Sequence, residues 1–446
     1  MKRLFGTDGI RGEAGVAPLD PATVRRFGAA LATVLGGAAA APRVLLGRDT
    51  RESGPWLRDA VAAGLASQGG SAVDAGVITT PGLAFGTSSG RFDAGVMISA
   101  SHNPFGDNGL KVFGRDGMKL PDAQEAEIER WILDHDLSDA GSGAGRAAED
   151  GAIARRYVAF LEGAVPEGRF RGRRLLLDCA NGSASALGAE IFRHHGAEVE
   201  AIGDRPDGRN INLGCGSLHL ERLAERVRAG GFDLGLGFDG DADRCLAVDR
   251  TGRVVDGDHI LYLTARKLKR DGLLHGDGVV ATIMSNFWLE KRLADEGIRL
   301  HRSAVGDKYV LEKMIAEDAA LGGEQSGHVI FRDRMTTGDG LLTGLVLLDA
   351  ILDEQTPLET ILDGIVPFPQ KLVNVRVASK PDLRSHPVIG PAVAQAESDL
   401  HGTGRIVLRY SGTESLARVM VEAEDPAAVE RVTAEVADLI RRELGA

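Results

Sequence analysis

In the segment Gly237–Arg244 (Gly-Phe-Asp-Gly-Asp-Ala-Asp-Arg), Asp239, Asp241 and Asp243 stand at i, i+2 and i+4. A loop that wraps at this point brings three carboxylates onto one cation. With no His or Cys interleaved, the donors suit a hard, oxygen-seeking ion such as Mg²⁺. An EF-hand loop also begins Asp-x-Asp-x-Asp, but here Arg244 takes its obligatory Gly position and Arg250 its bidentate Glu position. A solvated acidic turn is the plain alternative, at the cost of crowding like charges. A second segment, Gly95–Pro104 (Gly-Val-Met-Ile-Ser-Ala-Ser-His-Asn-Pro), is an apolar strand ending in a polar loop that offers the Ser101 hydroxyl and backbone N–H groups. Ser, Asn, Pro and Gly also build ordinary turns. A free serine is a weak nucleophile and needs a base, a metal or a group already attached. Together the two loops suggest phosphoryl transfer, with a metal neutralising phosphoryl charge while the serine oxygen carries or accepts the group.

Two further loops offer ligand chemistry. Gly322–His328 (Gly-Gly-Glu-Gln-Ser-Gly-His) sets Glu324, Ser326 and His328 between glycines, a set suited to sugar hydroxyls, although Gly-polar loops are often only turns. Arg409–Glu414 (Arg-Tyr-Ser-Gly-Thr-Glu), with Arg418 nearby, puts hydroxyls and approachable N–H groups between two guanidinium groups. That composition makes a phosphate cradle in an otherwise acidic chain, the alternative being an exposed hairpin with incidental arginines.

The elements that must position these loops follow a repeated pattern. Arg43–Gly47, a helix from about Pro55 to Ser67, Gly69 and Ser71–Gly76 form the first copy. Arg174–Asp178, a helix ending at His194, Gly196 and Ala197–Gly203 form the second, and Gly278–Ile283, a helix from about Asn286 to Asp295, Gly297 and Ile298–Arg302 form the third. Continuous apolar runs alternating with helices predict mostly parallel sheets covered on both faces, and the glycines predict left-handed helix stops. Copies this far apart are domain-sized. The last segment differs: Lys371–Val377, Arg405–Arg409 and Ala417–Glu422 alternate as half-buried strands, and a helix runs from Pro426. The expected class is α/β, with three similar mixed or parallel-sheet α/β domains and a smaller C-terminal α+β domain around a central cleft. The expected boundaries are 1–150, 151–256, 257–367 and 368–446, with a loose loop at Ser138–Gly145 and a linker marked by Pro367 and Pro369.

Composition bounds the partners. With 446 residues, 43% hydrophobic and 26% charged, the chain can bury several cores. A net charge of -12 argues against a nucleic-acid surface. No apolar run of about 20 residues suggests a membrane span, and the N-terminus shows no signal core. Three unpaired cysteines (Cys179, Cys215, Cys245) suit reduced thiols, so a cytoplasmic location is expected. Cys245, though beside the aspartates, is expected to be a small buried residue.

Taken in order, the four loops resemble those of the α-D-phosphohexomutase family over essentially the whole chain. The resemblance implies that Ser101 is a phosphoserine that joins Asp239, Asp241 and Asp243 around one Mg²⁺ per chain. It implies that Glu324, Ser326 and His328 recognise the sugar, and that Arg409, Ser411, Gly412 and Thr413, with Arg418, hold a phosphate. Lys111 (in Asn108-Gly-Leu-Lys) and Arg11 (in Gly9-Ile-Arg-Gly) match residues placed beside the transferring group, where either could assist proton transfer, Arg11 more as a charge clamp than as a base, and Arg244 is expected on the phosphoryl oxygens. Phe5–Gly12, the Gln325 variant and Val305–Met314 resemble the branch acting on glucosamine phosphates. The implied reaction interconverts glucosamine 6-phosphate and glucosamine 1-phosphate through a glucosamine 1,6-bisphosphate that also serves as activator, a step towards bacterial cell-wall precursors. Ser415 in place of a common Pro, and Lys308 in place of a common Arg, depart from the branch without removing a phosphate donor. A sister mutase for glucose or mannose phosphates, a metal-dependent serine phosphatase and a silent phosphosugar sensor are the competing readings. The expected partner is a small phosphosugar, with no nucleic acid or membrane. The resemblance leaves open a homodimer, and a kinase or autophosphorylation as the first source of the phosphate on Ser101.

Overall fold

Apolar runs that end in Asp, Ser or Gly become the central strands of this protein. Ala94–Ile98, Leu234–Phe238 and Gly278–Thr282 are buried along their full length, as strands covered on both faces must be. The computed structural model describes residues 4–6, 8–36, 41–135, 147–400, 402–411 and 414–445; the loop expected at Ser138–Gly145 lies outside them.

Packing divides the chain into two units, Met1–Thr282 with Leu300–Glu359, and Ile283–Arg299 with Thr360–Ala446. The first unit carries three sheets. The seven-stranded sheet runs in the order Phe5–Gly6, Gly9–Glu13, Asp107–Gly114, Ala94–Ile98, Arg43–Arg48, Ser71–Val77, Ala148–Glu149. The five-stranded sheet runs Val254–Val255, Cys245–Asp249, Leu234–Phe238, Arg174–Asp178, Glu198–Ile202, and the four-stranded one Arg299–Ser303, Gly278–Thr282, Leu321–Gly323, Val329–Phe331. The first two strand–helix–strand copies supply parallel pairs, Arg43–Arg48 with Ser71–Val77 and Arg174–Asp178 with Glu198–Ile202. Each sheet then gains an antiparallel flank, so the sheets are mixed. The helix stops fall where expected: Gly69, Gly196 and Gly297 have φ of +81°, +92° and +67°.

In the second unit, Gln370–Arg376, Leu416–Ala423 and Gly404–Tyr410 form an antiparallel sheet in that order. The helices Pro426–Leu444 and Ile389–Asp399 bury Val432, Val436, Ile440 and Val393 against Val375, Val419 and Val421. The Ile389–Asp399 helix was not legible in the sequence. The helix Phe287–Asp295 of the third copy also belongs to this unit. Its N-cap Asn286 exchanges hydrogen bonds with Phe368 (3.1 and 3.0 Å), and Arg405 donates to the Ile283 and Ser285 carbonyls (2.9 and 2.6 Å).

All three cysteines are buried. Among the described residues no helix is long and apolar enough to cross a membrane.

Candidate active site

Every candidate loop turns out to be the connection of an antiparallel hairpin. The serine loop joins Ala94–Ile98 to Asp107–Gly114, the aspartate loop joins Leu234–Phe238 to Cys245–Asp249, and the Glu324 loop joins Leu321–Gly323 to Val329–Phe331. In the first unit each sits at the C-terminal end of a strand paired in parallel on its other side, where chain ends converge on ligands. The Arg409 loop joins Gly404–Tyr410 to Leu416–Ala423.

Ser101 is buried and takes a left-handed backbone (φ +53°), which turns its hydroxyl onto Asp239 Oδ2 at 2.5 Å. Such a conformation in a non-glycine residue has to be held from outside. The Ser101 carbonyl accepts from Arg51 (3.0 Å) and from the Asn212 amide (2.9 Å), and the same two side chains hold the Asn103 carbonyl at 2.8 and 3.0 Å. Arg51 also donates to the Pro104 carbonyl and to Asp49 Oδ2 (2.9 Å), and Asp49 in turn accepts from Ser99 Oγ at 2.6 Å. Arg51→Met leaves Asp49 a buried carboxylate without its counter-ion and takes one donor each from the Ser101, Asn103 and Pro104 carbonyls. Urea denaturation should find this variant about 3–5 kcal/mol less stable; a loss under about 1 kcal/mol would mean that the loop holds itself. His102, beside Ser101 Oγ at 3.2 Å, is driven down to about 4 by burial and then by Arg244 and Arg11, so its ring is neutral near pH 7.

The aspartate loop reverses at Ala242 (φ +55°), and the three carboxylates converge, with one oxygen of each within 4.8 Å of the others. There is no room for a side chain between Asp239 and Asp241: a Cβ at Gly240 would lie 2.5 Å from the Ser101 carbonyl oxygen. Thr80 Oγ1 donates to Asp241 Oδ2 at 2.5 Å. Lys111 Nζ lies 2.8 Å from Asp241 Oδ2, 3.3 Å from Asp243 Oδ2 and 3.2 Å from Asp8 Oδ2. Burial opposes its charge, but Asp241, Asp8 and Asp243 outweigh it and hold Lys111 as an ammonium. Asp239 is pushed well above the ordinary range by burial and by repulsion from Asp243 and Asp241, whereas Asp243 falls well below it because Lys111 overcomes its burial. Asp241 Oδ1 and Asp243 Oδ1 are buried with no hydrogen-bond partner among the described residues. Two orphaned carboxylate oxygens in an all-oxygen set are what a hard cation requires, so these residues fit Mg²⁺.

Arg11 pairs with Asp8 and donates to the Ala100 carbonyl at 3.3 Å. The Arg244 guanidinium lies over the loop, its Nε 3.9 Å from Asp243 Oδ1 and without a hydrogen bond among the described residues. Gly306 N–H donates to Glu324 Oε1 at 3.2 Å, and Ser326 Oγ has no partner among the described residues, which leaves it available to a ligand hydroxyl. The His328 ring stands 3.8 Å from Asp243 Oδ1 through Nδ1 and 3.7 Å from Asp307 Oδ2 through Nε2. Burial opposes protonation of the ring, but Asp243, Asp307 and Glu324 outweigh it and raise its pKa. The Gly338 N–H, 3.0 Å from Nε2, needs a lone pair there and decides for the neutral form with its proton on Nδ1.

Thus Ser101, Lys111, Arg11, the three aspartates, Arg244, Glu324, Ser326 and His328 all fall in the first unit. Sequence reasoning missed Asp8, Arg51, Lys119, Asn212 and Asp307. Asp8 and Asp307 lay inside quoted motifs, but nothing local gave them a partner.

In the second unit Arg409 and Arg418 stand directly opposite on neighbouring strands. Burial and the Arg418 charge lower the Arg409 pKa, and Arg418 Nε has no hydrogen-bond partner among the described residues, so a bound anion would relieve the like-charge pair. Lys380 Nζ donates to the Ser411 carbonyl (2.7 Å), and Ser411 Oγ accepts from Glu414 N (3.2 Å). Gly412 and Thr413 lie outside the described residues.

Models of the phosphoglucomutase/phosphomannomutase family match consecutively: alpha/beta/alpha domain I at residues 2–138, domain II at 155–252, domain III at 256–368 and the C-terminal domain at 372–439. The chain belongs to that family. It is 49% identical over 444 residues to a phosphoglucosamine mutase of Solibacter usitatus, covering 100% of this chain and 99% of the relative. A phosphoglucomutase/phosphomannomutase family protein from Burkholderia thailandensis shares the fold with a TM-score of 0.81 at 25% identity, covering 99% of both chains. Aspergillus fumigatus N-acetylphosphoglucosamine mutase, solved in complex with GlcNAc-6P and magnesium, shares the fold with a TM-score of 0.65 at 20% identity, covering 98% of this chain and 95% of that one.

Proposed function

We propose that this chain is a phosphoglucosamine mutase, an enzyme that interconverts glucosamine 6-phosphate and glucosamine 1-phosphate through a phosphoserine at Ser101. One observation carries the reading: the Ser101 hydroxyl is held 2.5 Å from Asp239 inside a buried three-aspartate pocket. The chain around it is 49% identical over its length to a phosphoglucosamine mutase.

Phosphoserine 101 hands its phosphoryl group to the free hydroxyl of the substrate. The bond from phosphorus to the serine oxygen breaks, one to the sugar oxygen forms, and the proton lost by the sugar hydroxyl ends on the freed serine oxygen, giving a 1,6-bisphosphate and an unphosphorylated Ser101. The intermediate turns over and returns its other phosphate to Ser101. Lys111 and Arg244 set positive charge beside the transferring group, and Arg11 clamps the same side. Glu324, Ser326 and His328 take the sugar hydroxyls, while Arg409, Ser411, Gly412, Thr413 and Arg418 take the phosphate that is not being transferred. Mg²⁺ held by Ser101, Asp239, Asp241 and Asp243 would neutralise charge on the phosphoryl oxygens. On this reading the chain has four domains, 1–150 bearing the serine, 151–256 the metal loop, 257–367 the sugar loop and 368–446 the phosphate loop.

Turnover of glucosamine 6-phosphate measured against glucose and mannose phosphates tests the substrate. Glucosamine phosphate should lead in kcat/KM by about tenfold or more. A lead for mannose phosphate would overturn the branch, and inorganic phosphate released in step with substrate loss would make the protein a phosphatase.

A further inference from the structure

Lys119 is a mostly covered cation that the reaction above does not use. Its side chain is 12% exposed and its ammonium pairs with Asp8 on one side and with Asp307 on the other, 2.7 Å from Oδ2. Burial opposes that charge, but Asp307 and Asp8 raise the lysine above its ordinary range, so it stays an ammonium. An ammonium this far from water is tolerated only with partners that stay in place.

What those two partners touch gives Lys119 its interest. Asp8 pairs with Lys111 (3.2 Å) and Arg11, the cations beside Ser101 and the aspartate loop. Asp307 lies against His328, and its neighbour Gly306 holds Glu324 through its N–H. Gly306 has φ +126°, a backbone open in practice only to glycine, so this turn is built to point two adjacent residues at two side chains of one loop. The contact is also reciprocal. Lys119 reaches Asp307 from its own segment, and Lys308 reaches back to the Leu120 carbonyl (3.1 Å) and Asp122. Thr336 Oγ1 donates to the Gly117 carbonyl at 2.6 Å, fixing the turn from which Lys119 projects.

We propose that Lys119 is the positioning residue that couples the phosphoryl-transfer loops to the sugar loop, holding Asp8 against Lys111 and Arg11 while holding the Gly306–Asp307 turn against Glu324 and His328. This rests on the reading of Ser101 and Glu324–His328 given above. Lys119 touches none of those groups itself, so its effect on them is indirect, as with the outer partners that orient catalytic groups elsewhere.

The test is Lys119→Met in the full-length protein, with Asp8→Asn and Asp307→Asn beside it. Lys119→Met should lower kcat and also raise the KM for the sugar phosphate, together costing on the order of ten- to a hundredfold in kcat/KM. Asp8→Asn should act chiefly on kcat and Asp307→Asn chiefly on KM. A merely structural lysine would lower apparent kcat with the folded fraction and leave KM alone, and that result would overturn the proposal, as would values within threefold of wild type. Lys119→Gln serves if the Met variant does not fold. Imidazole resonances of ¹⁵N-His-labelled protein give a reading without turnover: the His328 signals should move in the Lys119 variant, and unchanged signals would overturn the coupling. A wild type inactive on glucosamine 6-phosphate would sink the substrate assignment alone, and the His328 signals then decide the coupling.

Discussion

Ser101→Ala should lose at least about 10⁴-fold of mutase turnover while keeping its fold. The alanine inherits the same left-handed backbone, and Arg51 and Asn212 grip the loop through carbonyls that the substitution leaves in place. What disappears is the one oxygen that stands 2.5 Å from Asp239, and with it any route for the phosphoryl group through the chain. Intact mass spectrometry gives the direct reading. Wild-type protein under turnover should carry a phosphate-sized adduct that phosphatase removes and that maps to Ser101, and the variant should carry none. An adduct at another residue, or a variant within tenfold of wild-type activity, would refute the phosphoserine. The three aspartates remain in the variant, so it should still respond to Mg²⁺ in a thermal melt, which separates loss of the donor from loss of the site.

Asp241→Asn should cost on the order of 10³-fold in Mg²⁺-dependent activity and remove the stabilisation that Mg²⁺ gives. Asp241 offers one oxygen to Lys111 and Thr80 and leaves the other buried and unpartnered beside the orphaned oxygen of Asp243. In the wild type a cation bound there would relieve the crowding that pushes Asp239 upward. A ligand held only by the folded state stabilises it by about 2.7 kcal/mol at a hundredfold excess over Kd. Differential scanning calorimetry with and without Mg²⁺ should show that gain in wild type and its loss after the substitution or after chelation. An equal Mg²⁺ response in both proteins would place the metal elsewhere.

Much of this architecture could be read along the chain because the signals are local. A buried strand needs a continuous apolar run, and Arg174–Asp178 begins and ends where its sequence does. A helix that stops in a left-handed residue needs glycine, hence Gly69, Gly196 and Gly297. The helix Ile389–Asp399 escaped because most of its residues are exposed or half-buried and only Ile389, Gly390 and Val393 are fully covered, too thin an apolar stripe to show a period. The third copy misled in another way: strand, helix and glycine were where expected, but the helix joined the C-terminal unit through Asn286 and Phe368, a pairing no local pattern announces.

The site divides along the same line. Residue types suggested the chemistry: three alternating carboxylates with no nitrogen or sulfur donor point to a hard cation, and a hydroxyl in a polar strand-end loop points to a group it could carry. Only the tertiary structure decided which charges face one another. Lys119 and Asp307 are 188 residues apart, and Ser101 and Asp239 are 138 apart. Partners at such separations are chosen by how sheets and hairpins pack, because a charge buried by folding must find its counter-charge wherever the chain has brought one.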